Sequence, residues 1–564
     1  MKKILFLLSL FLFSRLYAFQ EPNSLPVVAK QGMVVSEQHL ASQIGIDILK
    51  KGGNAFDAAV AVGYALSVVT PCCGNIGGGG FMTLHFANGK NIFVNFREKA
   101  PLAAKPDMFL NKNGKIIPSL STVGYLAVAT PGTVMGFETV LKKYGTMTRE
   151  QVMAPAITLA EKGYILTAGD IKLLSFGDED FAKYPNVAAI FLNKKHKPFK
   201  EGDRLIQKNL AETLKLISKN GPDVFYKGKI AQEIVSASKT NGGILSLNDF
   251  SEYKVQELTP LSCTFRKYTI ISAPPPSSGG TTLCEMLNIL ENYPLKSYGF
   301  HSSKSIHYIT EAMRYAFFDR NSHLGDPDFV RNPVSQLISK DHAAHIVQDI
   351  LDIRATPSNE IGDKIGSHEG INTTHYSIVD KKGNAASVTF TLNSFFGAKV
   401  IAGDTGFFLN NEMDDFTAKP GEKNKFGLIH GEKNRIQPGK RPLSSMTPTL
   451  IFQKKKLVMV LGSPGGPRII TSTLQAILNN LVYGMNIKES VDAPRFHHQW
   501  LPDTIYVEPD AVSALVKEEL ISMGYHFTPQ PTWSVVEAIV IDPDKKTYQG
   551  ANDRRRMAGK AIGY

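Results

Sequence analysis

The chain has 564 residues, 43% hydrophobic and 20% charged, a globular balance with enough length for one large core or several smaller ones. It carries no internal repeat and no long low-complexity stretch, which excludes solenoid and disordered architectures. The net charge of +12 comes from scattered Lys and Arg, and clusters such as Lys454-Lys455-Lys456 and Arg554-Arg555-Arg556 have no interleaved aromatics. A solvated basic surface is therefore expected, with no nucleic-acid partner.

The first residues, MKKILFLLSLFLFSRLYAFQEP, combine a basic start at Lys2-Lys3, an apolar run over residues 4–13 and a small residue, Ala18. This predicts a cleaved secretory signal over residues 1–18 and a periplasmic or secreted location. The run falls short of the about 20 residues that span a bilayer, and Arg15 interrupts its end, so no stable membrane span is expected. A helix is predicted over about residues 39–51, stopped by Gly52-Gly53, and a very apolar, buried helix over about 55–68. FMTLHFANGKNIFVNFRE alternates on both sides of Asn88-Gly89, a hairpin that leaves Arg97 at its far end. Residues 130–300 read as mostly helical, SIHYITEAMRYAFFDR as an amphipathic helix, and 352–372 as a polar, mobile linker. From Thr373 onward antiparallel hairpins dominate, turning at 381–384 and at the lysines 454–456, with a helix in PRIITSTLQAILNNLVYG. The class is α+β, with helices outside packed sheets.

Chemistry concentrates in the second half. In INTTHYSIVD, Thr373 follows Asn372 and precedes a strand. A threonine hydroxyl needs a base, and cutting the Asn372–Thr373 bond would supply one, because the freed α-amine has a pKa of about 8. A β-branched residue beginning a strand, or a glycosylation sequon, are the plainer readings of the same residues. In SVTFTLN, alternation puts Thr389, Thr391 and Asn393 on one face, which either meets solvent or lines a pocket. FLNNEMDDF groups Glu412, Asp414 and Asp415 among apolar neighbours, so partial burial and capture of an ammonium group are expected. KRPLSSMTPT places Ser444 and Ser445 in a turn, and GSPGGPR places Gly465 and Gly466 between strand and helix, where backbone N–H groups can form an oxyanion hole. GNIGGGGF lacks the GKS or GKT ending of a nucleotide loop and reads as a tight, close-packed turn. Cys72, Cys73, Cys263 and Cys284 have no metal-ligand spacing and are expected as core residues first and disulfides second, with the adjacent pair not bonded to each other.

The motifs GGNAFDAAVA, GNIGGGGFM, FREKAP, NTTHYSIVD, TLNSFFG, FLNNEMDDF, RPLSSMTPT, GSPGG and APRFHHQW together resemble the gamma-glutamyltranspeptidase family, also called glutathione hydrolases, over nearly the whole mature chain. The resemblance implies the N-terminal nucleophile fold, a four-layer αββα sandwich, and a precursor that cuts itself between Asn372 and Thr373 into a large subunit, 19–372, and a small subunit, 373–564, that stay together as a heterodimer. It implies that Thr373 accepts the γ-glutamyl group from glutathione or related γ-glutamyl compounds, supported by Thr391, with Gly465 and Gly466 as oxyanion hole. Arg97, Ser444 and Ser445 would bind the α-carboxylate, and Asn393, Glu412 and Asp415 the α-ammonium. Water, or the amine of an amino acid or dipeptide, would take the acyl group; no cofactor or metal is implied. The lid between Asp415 and Arg441 has Phe426 where well-known bacterial members have tyrosine, which removes a gate hydroxyl. Alternatives are an acylase on cephalosporin or poly-γ-glutamate substrates, or a catalytically silent exported binding protein; retained Asp415 favours the γ-glutamyl substrate.

Overall fold

The computed structural model describes residues 25–362, 373–422 and 431–564. The signal segment, Asn372 and Phe426 lie outside these residues.

Two seven-stranded antiparallel sheets form the centre. The first runs Val27–Ala29, Thr547–Ala551, Glu537–Asp542, Lys456–Gly462, Thr449–Gln453, Tyr268–Ser272, Leu261–Phe265. The second runs Lys560–Gly563, Met33–Ser36, Thr374–Val379, Ala385–Thr391, Gly79–His85, Asn91–Phe96, Gln256–Leu258. Their inner faces meet through Met33, Val35, Val379, Ala385, Leu450, Val460 and Ile539. The strands 374–379 and 385–391 of one sheet lie against 456–462 of the other. Helices His39–Lys50 and Ala55–Val69 cover the outer face of the second sheet, and Gly279–Leu290 and Arg468–Leu481 that of the first. The four-layer αββα expectation is met.

The early elements follow their sequence signals. Asn54 caps Ala55–Val69 with a reciprocal Asp57 bond, and every residue of that helix is buried, as its apolar run requires. The hairpin at Asn88-Gly89 joins strands 79–85 and 91–96, with Gly89 at φ 92°. Gly77 and Gly78 press against backbone: an added Cβ would lie 2.1 Å from the Phe408 carbonyl oxygen and 1.8 Å from that of Thr391. The glycine run is thus a close-packed turn, and it packs directly behind Thr391.

Some expectations are refined and others corrected. The stretch 130–300 is mostly helical, but Gln256–Leu258, Leu261–Phe265 and Tyr268–Ser272, ahead of helix Gly279–Leu290, are strands, because each sheet recruits strands from this region at one edge. Within 352–372, Ser358 is buried and anchored, its hydroxyl donating to the Trp500 carbonyl (2.5 Å) and its N–H to Asp503 (2.7 Å), whereas residues 352–354 are exposed. Arg555 and Arg556 are not solvated; Arg555 pairs with Glu508 and Asp553, and Arg556 with buried Glu37 (2.6 Å). Finally, the adjacent cysteines are bonded: Cys72 to Cys73, and Cys263 to Cys284. The chain turns directly after the helix end at Thr70-Pro71, which sets the two neighbouring thiols side by side in a buried turn.

Candidate active site

Thr373 stands at the start of strand Thr374–Val379, a central strand of one sheet. Opposite, the central strand Lys456–Gly462 of the other sheet runs out into Gly465-Gly466 and then into helix Arg468–Leu481. The site lies where these two ends meet. A cleft there is lined by Thr373, Thr391, Asn393, Arg97, Glu412, Asp415, Ser444, Ser445 and Gly466, with Arg320 joining them. Of the ten catalytic and substrate-binding residues read from the sequence, all among the described residues, only Gly465 is not on that wall, and it is bonded to Gly466. Thr373 and Thr391 are buried, and their hydroxyl oxygens lie 3.4 Å apart. Thr391 also accepts from the Asn393 N–H (2.8 Å). The polar face of SVTFTLN therefore does not meet solvent: Thr391 and Asn393 line the cleft, and Thr389 is buried against His375.

Asn393 adopts φ 74°, a left-handed conformation that asparagine tolerates. Its side-chain amide donates to the Asn411 carbonyl (3.0 Å). The disulfide turn anchors this loop: the N–H groups of Leu392 and Phe396 donate to the carbonyls of Cys73 (2.9 Å) and Cys72 (2.7 Å). Gly465 has φ 130° and Gly466 φ 57°; a Cβ on Gly465 would lie 2.0 Å from Ser534 Oγ. Only glycine fits there, and the pair leads into the N-terminus of an α-helix, where amides and dipole favour negative charge.

The acidic run folds as a 3-10 turn, Glu412–Asp415, pinned by buried Met413 and Phe416. Residues three apart share a face of such a turn, so Glu412 and Asp415 both reach the cleft. Asp414 turns away and accepts from Ser121 Oγ (2.6 Å). Arg97, buried at the end of the hairpin, pairs with Glu412, with Asp415 (2.5 Å) and with Glu98 (3.5 Å). Its Nε donates to the Pro442 carbonyl (3.2 Å). Burial alone would lower the Arg97 pKa, but the three carboxylates outweigh it and hold it above its ordinary value. Burial pushes Glu98 up to about 7 against the pull of Arg97, and pushes Glu412 well above the carboxylate range, with Glu98 and Asp415 adding repulsion. Glu412 Oε2 has no hydrogen-bond partner among the described residues. Three carboxylates thus surround one guanidinium, and acceptor oxygens of both Glu412 and Glu98 are left over, an arrangement suited to an additional cation.

His375, two residues past Thr373, is fully buried, and desolvation lowers its pKa to about 3. Its Nδ1 lies 2.8 Å from Thr389 Oγ1. A neutral imidazole locked between sheets is a structural group at neutral pH.

The sequence matches the gamma-glutamyltranspeptidase family over residues 41–564. The chain belongs to that family. It is an enzyme of γ-glutamyl transfer and hydrolysis, with the N-terminal nucleophile fold. It is 54% identical to a glutathione hydrolase proenzyme of Pseudomonas sp. (strain A14), with 97% of each chain covered. It is 47% identical to the glutathione hydrolase proenzyme of Escherichia coli (strain K12), covering 97% of this chain and 94% of that one. Among solved structures, a cephalosporin acylase from Bacillus halodurans superposes with a TM-score of 0.84 at 25% identity, covering 98% and 99% of the two chains. The Helicobacter pylori gamma-glutamyltranspeptidase gives a TM-score of 0.57 at 48% identity over 59% of this chain and 95% of that chain.

One cleft residue escaped the sequence reading. Arg320, near the end of helix Ser303–His323, is buried and donates to Ser445 Oγ (2.9 Å) and Ser278 Oγ (2.8 Å). Ser278 in turn donates from its N–H and its hydroxyl to the Ser444 carbonyl (2.7 Å each). The signal available was an arginine inside an amphipathic helix, which ordinarily marks a solvated position.

Proposed function

We propose that this chain cuts itself between Asn372 and Thr373 and then uses Thr373 to carry a γ-glutamyl group taken from glutathione or a related γ-glutamyl compound. The signal would occupy residues 1–18, the large subunit 19–372 and the small subunit 373–564, with the mature protein periplasmic or secreted. Among the described residues no helix is long and apolar enough to cross a membrane. Interleaving supports a lasting heterodimer: strand Thr374–Val379 pairs with Met33–Ser36, and Ala385–Thr391 with Gly79–His85.

The observation that carries the proposal is the convergence of hydroxyl, glycine turn and compensated charge cluster in one cleft. A γ-glutamyl donor brings an α-carboxylate and an α-ammonium on one carbon. Its carboxylate takes the Arg97 fork and the Ser444 and Ser445 hydroxyls; its ammonium takes Glu412 and Asp415, with the Asn393 side-chain oxygen beside it. The exchange adds no net charge to a buried site, which limits its desolvation cost. The fork geometry of guanidinium suits a planar carboxylate. The freed α-amine of Thr373 accepts the hydroxyl proton as Oγ attacks the γ-amide carbon. The Gly465 and Gly466 N–H groups stabilise the resulting oxyanion. Collapse breaks the C–N bond, the ammonium returns its proton to the departing amine, and an ester remains on Thr373. Thr391 steadies the Thr373 oxygen. Water, or the amine of an amino acid or dipeptide, then attacks the ester and frees Oγ.

Intact mass with N-terminal sequencing tests the first step: two pieces are expected, one beginning Thr373-Thr374-His375. Thr373→Ala is expected to stay a single chain without turnover on a γ-glutamyl anilide. Normal cleavage in that variant overturns the assignment. Turnover of a glutaryl β-lactam substrate in preference to the anilide would favour the acylase alternative.

A further inference from the structure

Away from the cleft, three helices bring together a cluster of a different composition. Glu285 lies on Gly279–Leu290, Asp319 on Ser303–His323 and His342 on Lys340–Asp349, and one ligand atom from each lies within 4.8 Å of the others. His342 Nε2 is 2.7 Å from Asp319 Oδ2 and 3.7 Å from Glu285 Oε1. Glu285 is 1% exposed, and its Oε1, aimed at His342, has no hydrogen-bond partner among the described residues. Neither carboxylate is paired with Lys or Arg among the described residues. Lys340, on the helix of His342, is turned to Glu291, Asn288 and the Thr264 carbonyl, and Arg320, next to Asp319, to Ser278 and Ser445. One helical turn beyond Asp319, His323 Nε2 lies 3.6 Å from Asp319 Oδ1 at the protein rim.

We propose that Glu285, Asp319 and His342 form a structural site for a first-row divalent transition-metal ion of the zinc class, with a water as fourth ligand. Tetrahedral zinc with bonds of about 2.1 Å sets its ligand atoms about 3.4 Å apart. The separations of 2.7 and 3.7 Å bracket that value. One imidazole and two carboxylates form a mixed nitrogen and oxygen donor set, which suits zinc better than calcium or magnesium, whose sites are built from oxygen alone. The two positive charges of the ion would balance the two carboxylates. Bound there, it ties three helices and the last turn from which Arg320 reaches Ser445. The spacing in sequence, 285, 319 and 342, has no metal-motif signature, so only the helix packing brings the ligands together.

The test uses untagged, matured protein, stripped with chelator and reloaded with zinc. One zinc per mature molecule should survive desalting, measured by elemental analysis. At zinc a hundredfold above Kd the Tm should rise by about 2 °C, given the unfolding entropy of a chain this long. Both signals should be lost in His342→Gln and Glu285→Gln. Wild-type protein that retains no zinc, or retains it equally in both variants, overturns the proposal and leaves a hydrogen-bonded triad. If the variants do not fold, X-ray absorption on the zinc-loaded wild type decides: one imidazole with oxygen ligands supports the site, and a spectrum without imidazole overturns it.

Discussion

Replacing Arg97 with Met keeps much of the side-chain volume and removes the guanidinium. Glu98, Glu412 and Asp415 then lose their shared partner inside the protein. Leaving buried charges uncompensated costs about 3–5 kcal/mol, which for a protein of this size is about 3–5 °C in Tm. The cost depends on pH in a defined direction. Burial already holds Glu98 at about 7 and Glu412 well above its ordinary value, so the folded state carries extra protons in mild acid. Groups raised in this way lower stability as pH climbs from the unfolded carboxylate pKa, about 4.5, through the folded one. Without Arg97, which pulls both down, the folded values rise further, and the added penalty falls at neutral and alkaline pH. The Tm difference between wild type and Arg97→Met should therefore be small at pH 5 and reach several degrees at pH 8, measured by calorimetry without substrate. On the catalytic side, KM for a γ-glutamyl anilide should rise at least tenfold, with the loss of a charged hydrogen-bond pair worth about 1.5–3 kcal/mol. A Tm difference as large at pH 5 as at pH 8, or an unchanged KM, would refute the charge-cluster reasoning.

Gly465→Ala forces a Cβ to 2.0 Å from Ser534 Oγ at φ 130°, and should lower kcat by about 10²–10³ as the amide turns away from the oxyanion; steady-state kinetics checks this. Gly462→Ala sets a Cβ 2.3 Å from the His375 ring between the sheets and should cost about 1–3 kcal/mol by overpacking, read as a lower Tm. Arg320→Ala removes the donor to Ser445 Oγ and should raise KM for the donor more than it lowers kcat, whereas a merely structural role would leave KM alone. Opening Cys263–Cys284, by Cys284→Ser, removes a crosslink over a 21-residue separation worth about 3 kcal/mol. Tm should fall by about 3 °C, read by calorimetry, and an unchanged Tm would count against a stabilising crosslink.

The sequence by itself determined the local elements and the chemical alphabet of the site. Periodicity and caps sufficed for the helix at Ala55–Val69 and the hairpin at Asn88-Gly89, because those signals lie within a few residues of each other. The long motifs named the family and ten site residues, and family membership needed no coordinates. Tertiary structure decided the rest. Whether the Thr389–Asn393 face met water or the interior depended on the sheet packed against it; Thr391 and Asn393 met the cleft, and Thr389 met His375. Arg320 joined the cleft because its helix crosses over Ser278 and Ser445, residues 42 and 125 positions away. Arg555 and Arg556 sank into ion pairs with Glu508 and Glu37, although a run of arginines reads as surface. Cys72 and Cys73 joined because a buried turn after Pro71 left them no other partner nearby. Each of these turns on which groups share a desolvated space, and that is a property of long-range packing. Sequence spacing encodes it only where the partners are neighbours along the chain.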